Sequence, residues 1–341
     1  MKWLAMLAGT VALLAAPYYL DLFQIGLVTR GLVWAVVGLS VWFLLRILAL
    51  PSFGHAAFFG IGAYAAGLAV TRWEVDNVFV ALAIAVLLTC AVALPIALVA
   101  SRLGSIGFLL ITLAFAEMLR SLALRWRSVG GSDGLVGVTR PDAGPLPIDL
   151  ADPLAFFYFT IGVTALCLLV LRLVQRSALG GILVGIRESE SRMRALGYRV
   201  GAYKVFAFEL SAAVAAVAGV LHAYLIRFVS PEDLGALVSA RGLIIVVIAG
   251  AALAAPVVVA VVLTFGEDLA SSRTENWLAL TGLVYVAVAL LGDLVSTRPR
   301  GWIGRRAATD EGATPAPDAG TGASPSCGAV ALAAVPVQEG P

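Results

Sequence analysis

Few residues in this 341-residue chain could do chemistry, and their spacing narrows what that chemistry is. There are two histidines, His55 and His222, and three cysteines, Cys90, Cys167 and Cys327. A structural zinc site needs close ligand pairs such as CxxC, and none occurs; nor do three scattered cysteines make a disulfide framework. Lysine is present only at positions 2 and 204. A phosphate loop places a lysine at the end of a glycine-rich turn, and neither lysine follows one. Ionisable residues inside apolar runs are functional candidates by default. Glu117 and Arg120, an i,i+3 pair, read as a local ion pair near the outer end of their run. Glu209 lies toward the inner end of its run and is expected to pair with Lys204 or with an arginine of the segment 178–204. His222 and Arg227 read as groups reaching for lipid headgroups. No Ser/His/Asp set or paired-carboxylate site shows at any sequence spacing, so the chain is expected not to be an enzyme.

One glycine-rich stretch, PSFGHAAFFGIGAY (51–64), is unusual for carrying a histidine among apolar residues. No Lys-Ser/Thr follows it, so it is not a phosphate loop. It reads as a helix start at a membrane boundary, with Ser52 as N-cap and His55 in the first turn, a neutral hydrogen-bonding residue. Ala56–Gly60, Gly62–Ala66 and Ala63–Gly67 are small-xxx-small pairs suited to close helix contact. Ser52, Gly54, His55, Gly60, Gly62 and Tyr64 are therefore candidates for packing or for lining a path. Ser211, Ala215, Gly219 and Ala223 form a second stripe of small residues, at i+4 steps.

The elements that must position these residues follow from composition. The chain is 61% hydrophobic, and its 13% of charged residues is about half the share usual in soluble domains. Mean hydropathy is +0.98. No globular core could bury so much apolar chain, so the expectation is an all-α polytopic membrane protein. Runs at 3–20, 31–50, 54–71, 77–100, 105–124, 155–174, 203–226, 234–265 and 277–296 are long enough to cross a bilayer. The first reads as a retained span rather than a cleaved signal peptide, because Leu14–Pro17 is a poor cleavage site.

Charge then sets sidedness. Residues 172–204 carry seven Lys/Arg against Glu188 and Glu190, and 298–306 carry four Arg and no acid. Both should be cytoplasmic, together with the N-terminus. That parity requires the run 234–265, interrupted by Gly250 and Pro256, to be two short helices or a re-entrant hairpin. The total is about nine or ten membrane segments, with Glu267, Asp268, Arg273 and Glu275 in an external loop. Residues 1–303 form the membrane domain. Residues 304–341, rich in Ala, Gly, Pro, Ser and Thr, read as a disordered tail.

Residues 178–204 are amphipathic. Leu183, Ile186, Met193 and Leu196 fall mostly on one face of a helix of about four turns. Glu188–Arg192 and Glu190–Arg194 are i,i+4 pairs with the acid first, and Gly197 suits the position just past a helix end. Such a helix could lie on anionic lipid or dock in a groove of a protein partner. The two acids on its polar face favour the protein partner.

Three blocks in order give a resemblance. SFGHAAFFGIGAYAAGL, then ITLAFAEMLRSLALRW with GGSDGLVGV, then GIRESESRMRALGYRVGAYKVFAFELSAAVAAVAGVLHAY (185–224), resemble the permease subunits of branched-chain amino acid ABC importers, the LivM-type group. The resemblance covers roughly residues 30–302. It implies a prokaryotic cytoplasmic (inner) membrane protein with several partners: a second homologous permease, two cytoplasmic ATPases that use ATP-Mg, and an extracytoplasmic solute-binding protein. No cofactor bound directly and no nucleic-acid partner is expected. The resemblance makes Gly185, Ile186, Arg187, Glu188, Glu190, Arg192, Arg194, Leu196 and Gly197 the ATPase-coupling loop. Urea or short-chain amides are alternative solutes within the family. An ion-coupled secondary carrier is the alternative outside it, disfavoured because Glu117 and Glu209 read as lying near span ends. The run VVIAGAALAAPVVVA departs from the family's glycine-rich pattern, and Arg241 and Glu209 are charges that the family pattern does not lead one to expect.

Overall fold

A computed structural model describes residues 20–144 and 149–273, with positions 17 and 282. The chain divides into Met1–Asp293 and Leu294–Pro341, and the second unit lies outside the described residues. So do the expected spans 3–20 and 277–296 and the expected tail.

Each of the seven other apolar runs forms helix. The long helices are α1 (Leu22–Leu48), α3 (Val78–Ala100), α4 (Ser105–Arg125), α5 (Pro153–Arg176), α8 (Val200–Ile226) and α10 (Ala255–Arg273), all apolar enough to cross a membrane. Shorter ones are α2 (His55–Thr71), α6 (Ala178–Glu188), α7 (Glu190–Ala195) and α9 (Ala236–Ala249). The chain is thus a polytopic helical membrane protein.

Helix α1 is the axis of the bundle, with 89% of its most apolar window buried. It touches α2, α5, α8, α9 and α10. Its neighbours α2 and α8 approach backbone to backbone. A Cβ on Gly62 would run into the Ala216 backbone, and one on Gly219 into the Phe59 carbonyl. The two small-residue stripes expected from the sequence are therefore one shared seam. The outer helices invert the pattern of a soluble protein. Helix α3 buries Ala81, Ala85, Thr89, Ala93 and Ala97, while Leu87, Leu94 and Leu98 are exposed. Small residues inward and large apolar ones outward suit a bundle whose solvent is lipid.

One end of the bundle is closed by a two-strand ribbon, β1 (Leu135–Val136) paired antiparallel with β2 (Phe228–Val229). Gly134 has a positive φ of 72°, and a Cβ there would meet the Val229 carbonyl at 2.5 Å, so only glycine lets this ribbon form. Arg140 organises the same connection, donating to the carbonyls of Tyr224 (2.9 Å) and Leu150 (3.1 Å). Burial, then nearby Arg227, lowers its pKa from the ordinary value.

The run 234–265 is broken as expected. Helix α9 ends at Gly250, which has φ 70°, and α10 begins at Ala255. Trp42 Nε1 donates to the Gly250 carbonyl (3.1 Å), which pins the break against α1. The position of Glu267 and Asp268 differs from expectation. Both lie within α10, which continues to Arg273, rather than in a loop. Glu267 Oε2 accepts from Arg241 at 2.6 Å, and the Arg241 guanidinium lies 4.1 Å over the Trp34 ring. The partner supplied by α9 is what lets the acid sit in a helix.

Candidate functional site: the coupling loop and a buried polar node

The segment 178–199 folds as two short helices rather than one. Ser189 adopts an extended backbone (φ −159°, ψ 100°), ends α6 and caps α7 by accepting from the Arg192 amide. Sequence periodicity could not register this break, because serine competes for backbone groups without interrupting the apolar spacing. Leu183, Ile186 and Met193 are buried as expected, but Leu196 is 66% exposed. Gly185 accepts the Met193 side chain, and a Cβ there would lie 2.9 Å from its sulfur. Gly197 has φ 87°; its amide donates to the Arg194 carbonyl and that of Tyr198 to the Met193 carbonyl, the two hydrogen bonds of a Schellman end.

The expected Glu188–Arg192 pair is absent among the described residues, because the Ser189 break takes the two off one helix. Glu188, Arg192 and Leu196 instead project from the exposed side. The Glu190–Arg194 pair is present, and Glu190 also accepts from Lys204 Nζ at 2.7 Å. Lys204, on α8, is 6% exposed. Burial alone would raise the Glu190 carboxyl, but Lys204 and Arg194 together hold it below its ordinary range. Arg187 donates to the Arg46 carbonyl on α1. The loop is thus tied to the bundle at two points, α6 to α1 and α7 to α8.

The stretch 51–64 lies not at a boundary but inside the bundle. Helix α2 begins at His55 with Gly54 as N-cap, and the Ser52 hydroxyl accepts from the Gly54 amide (3.1 Å). Ser52 is therefore not the N-cap. His55 Nε2 lies 2.8 Å from Ser211 Oγ, and the Ser211 hydroxyl donates to the Ser40 carbonyl at 2.8 Å. With the Ser211 hydrogen so used, Nε2 of His55 carries the donor hydrogen. The Phe53 amide donates to Thr112 Oγ1 (3.2 Å) and the Ala56 amide to Ser239 Oγ (2.8 Å). Ser40, Ser52, His55, Thr112, Ser211 and Ser239 are all 0–1% exposed. Ser211 lies about three turns into α8, and Ser40 about two turns from the end of α1. The start of α2 is therefore more than about 10 Å inside the bundle. In an apolar interior the amides around a helix start must be satisfied, and hydroxyls from α4 and α9 do so, while the α8 hydroxyl holds the His55 side chain.

The other candidates fall elsewhere. Gly60 and Tyr64 are buried in α2, and Leu234 packs on Gly60, where a Cβ would meet its side chain at 2.4–2.5 Å. Glu117 keeps its Arg120 contact (3.6 Å) and also accepts from the Ala236 amide at the start of α9 (3.3 Å). Arg120 is held more closely by Glu232, at 2.6 Å. Glu209 does not pair with Lys204, which Glu190 occupies. It lies beside Cys90, near the middle of α3, so it sits deeper than the sequence suggested. His222 reaches Asp233 (3.4 Å) rather than headgroups. Among the described residues no three His, Cys, Asp or Glu gather where they could hold a metal.

Residues 24–291 match the family described as branched-chain amino acid transport system / permease component. Two curated relatives, from Salmonella typhimurium (strain LT2) and Escherichia coli (strain K12), are each named high-affinity branched-chain amino acid transport system permease protein LivM. Both are 27% identical to this chain over 87% of its length and 76% of theirs. No solved structure matches. The family match spans every described helix from Gln24 onward, including α6–α7 and the interior start of α2, and the chain belongs to the branched-chain amino acid transport permease family.

Proposed function

We propose that this chain is the transmembrane permease subunit of an ATP-binding cassette importer for branched-chain amino acids or related small polar solutes. Its partners in this reading are a second permease of the family, two cytoplasmic ATPases that use ATP-Mg, and an extracytoplasmic solute-binding protein. It lies in the cytoplasmic (inner) membrane of a prokaryote with both termini inside. Urea and short-chain amides are the alternative solutes.

One observation carries the reading. The α6–α7 pair presents an exposed rim of Glu188, Arg192 and Leu196 while seating Leu183, Ile186 and Met193 in the bundle. A segment held on one face and free on the other fits a helix-in-groove contact with a partner. The test is Glu188→Arg combined with Leu196→Glu, both outside the packed face. Co-purification of ATPase subunits and ATP-driven uptake should each fall about tenfold or more, with unchanged membrane levels. Retention of both would reject the docking role.

The depth of Glu209 keeps a second reading testable, since carriers driven by ion gradients use intramembrane acids. Uptake stopped by an uncoupler but indifferent to vanadate would favour it. The importer reading requires the reverse.

A further inference from the structure

The two ties of the coupling loop end on α1 and α8, and these are the two helices that meet at the buried node. Lys204 lies about two turns, roughly 10 Å, from Ser211 on α8. Arg46 lies less than two turns, about 9 Å, from Ser40 on α1. Ser211 joins Ser40 to His55, the first residue of α2. Ser239 of the broken α9–α10 element caps the same first turn and donates to the Phe53 carbonyl at 2.6 Å. Loop and interior node are thus joined by two stretches of helix, Lys204–Ser211 on α8 and Arg46–Ser40 on α1.

The two ties differ in kind. Arg187 contacts a backbone carbonyl with an exposed side chain. Lys204 is buried and held by a carboxylate that is itself held by Arg194. A charge-assisted bond between a buried lysine and a carboxylate resists separation more than one from an exposed arginine to a carbonyl, so it is the tie that carries displacement. We propose that Lys204 is a positioning residue for transport: through Glu190 it makes movement of α7 a movement of α8, and hence of the Ser211–His55 node.

This inference rests on the reading of α6–α7 as the ATPase contact. The test uses the assembled importer in proteoliposomes and measures solute taken up per ATP hydrolysed. Lys204→Gln should keep ATPase subunits bound and hydrolysing, while the uptake-to-hydrolysis ratio falls about fivefold or more. Lys204→Arg, which can still reach Glu190, should restore most of the ratio. Adding Glu190→Gln to Lys204→Gln should lower it no further, because both remove one contact. If a single variant leaves an unpaired charge that prevents folding, the double variant Glu190→Met/Lys204→Met removes both charges and decides the matter. An unchanged ratio in an assembled Lys204→Gln or double Met variant would overturn the proposal. Failure of ATPase subunits to bind the parental chain would instead reject the docking role.

Discussion

At the scale of residues, the serines and the histidine around the start of α2 hold one another. Ser211 serves two of them at once, as partner to His55 and donor to the Ser40 carbonyl. Replacing it with alanine leaves buried groups unsatisfied, at about 1–3 kcal/mol. Ser211→Ala should therefore lower the thermal midpoint in detergent by several degrees, while alanine at exposed Ser191 leaves it unchanged. The Glu190 cluster carries a pH prediction. Its carboxyl is held below the ordinary value of 4.5 in the folded chain, with Lys204 and Arg194 as the facing charges. A depressed folded pKa gives stability that is complete above the unfolded value and lost as pH falls through the folded one. Hydrogen exchange of α7 amides, corrected for intrinsic rates, should stay slow from neutral pH to 4.5 and quicken only below it. Glu190→Gln should exchange fast throughout. The sequence offered one clue to this cluster. Lys204 is one of two lysines and follows an amphipathic segment. Its choice of Glu190 over Glu209 depends on where α7 turns, and a serine at a helix break leaves no periodic trace.

At the scale of elements, helix existence was legible and helix depth was not. Apolar runs found each span among the described residues, because lipid demands long apolar helices. The same hydropathy is silent on where a helix begins within the bundle. The start of α2 looked like a boundary because Pro51 and Ser52 are ordinary start signals; its real depth is set by Thr112, Ser211 and Ser239, far off in sequence. Gly250 and Pro256 made the break in 234–265 readable, but not the Arg241–Glu267 bond between its two halves. Arg241→Met leaves Glu267 without that partner at a partly buried site and should cost about 1–3 kcal/mol. Arg241→Met with Glu267→Gln should recover most of it, measured by thermal unfolding in detergent.

At the scale of the whole molecule, a small-residue seam joins α2 to α8, and α1 is enclosed by the helices around it. Gly62→Leu places a side chain into the Ala216 backbone and should prevent accumulation of folded protein in the membrane, whereas the same change at open Gly162 should be tolerated. The seam was readable from glycine and alanine at i+4 spacing; which two stripes meet was not. In the proposed importer α6–α7 lies on the cytoplasmic side and is covered by an ATPase. The most direct measurement labels Leu196→Cys, in a background without native cysteines, with a membrane-impermeant maleimide. Cytoplasmic docking requires no labelling in intact cells, labelling in inverted vesicles, and shielding there when ATPase subunits are present. Labelling in intact cells, or equal labelling with and without the ATPases, would contradict it.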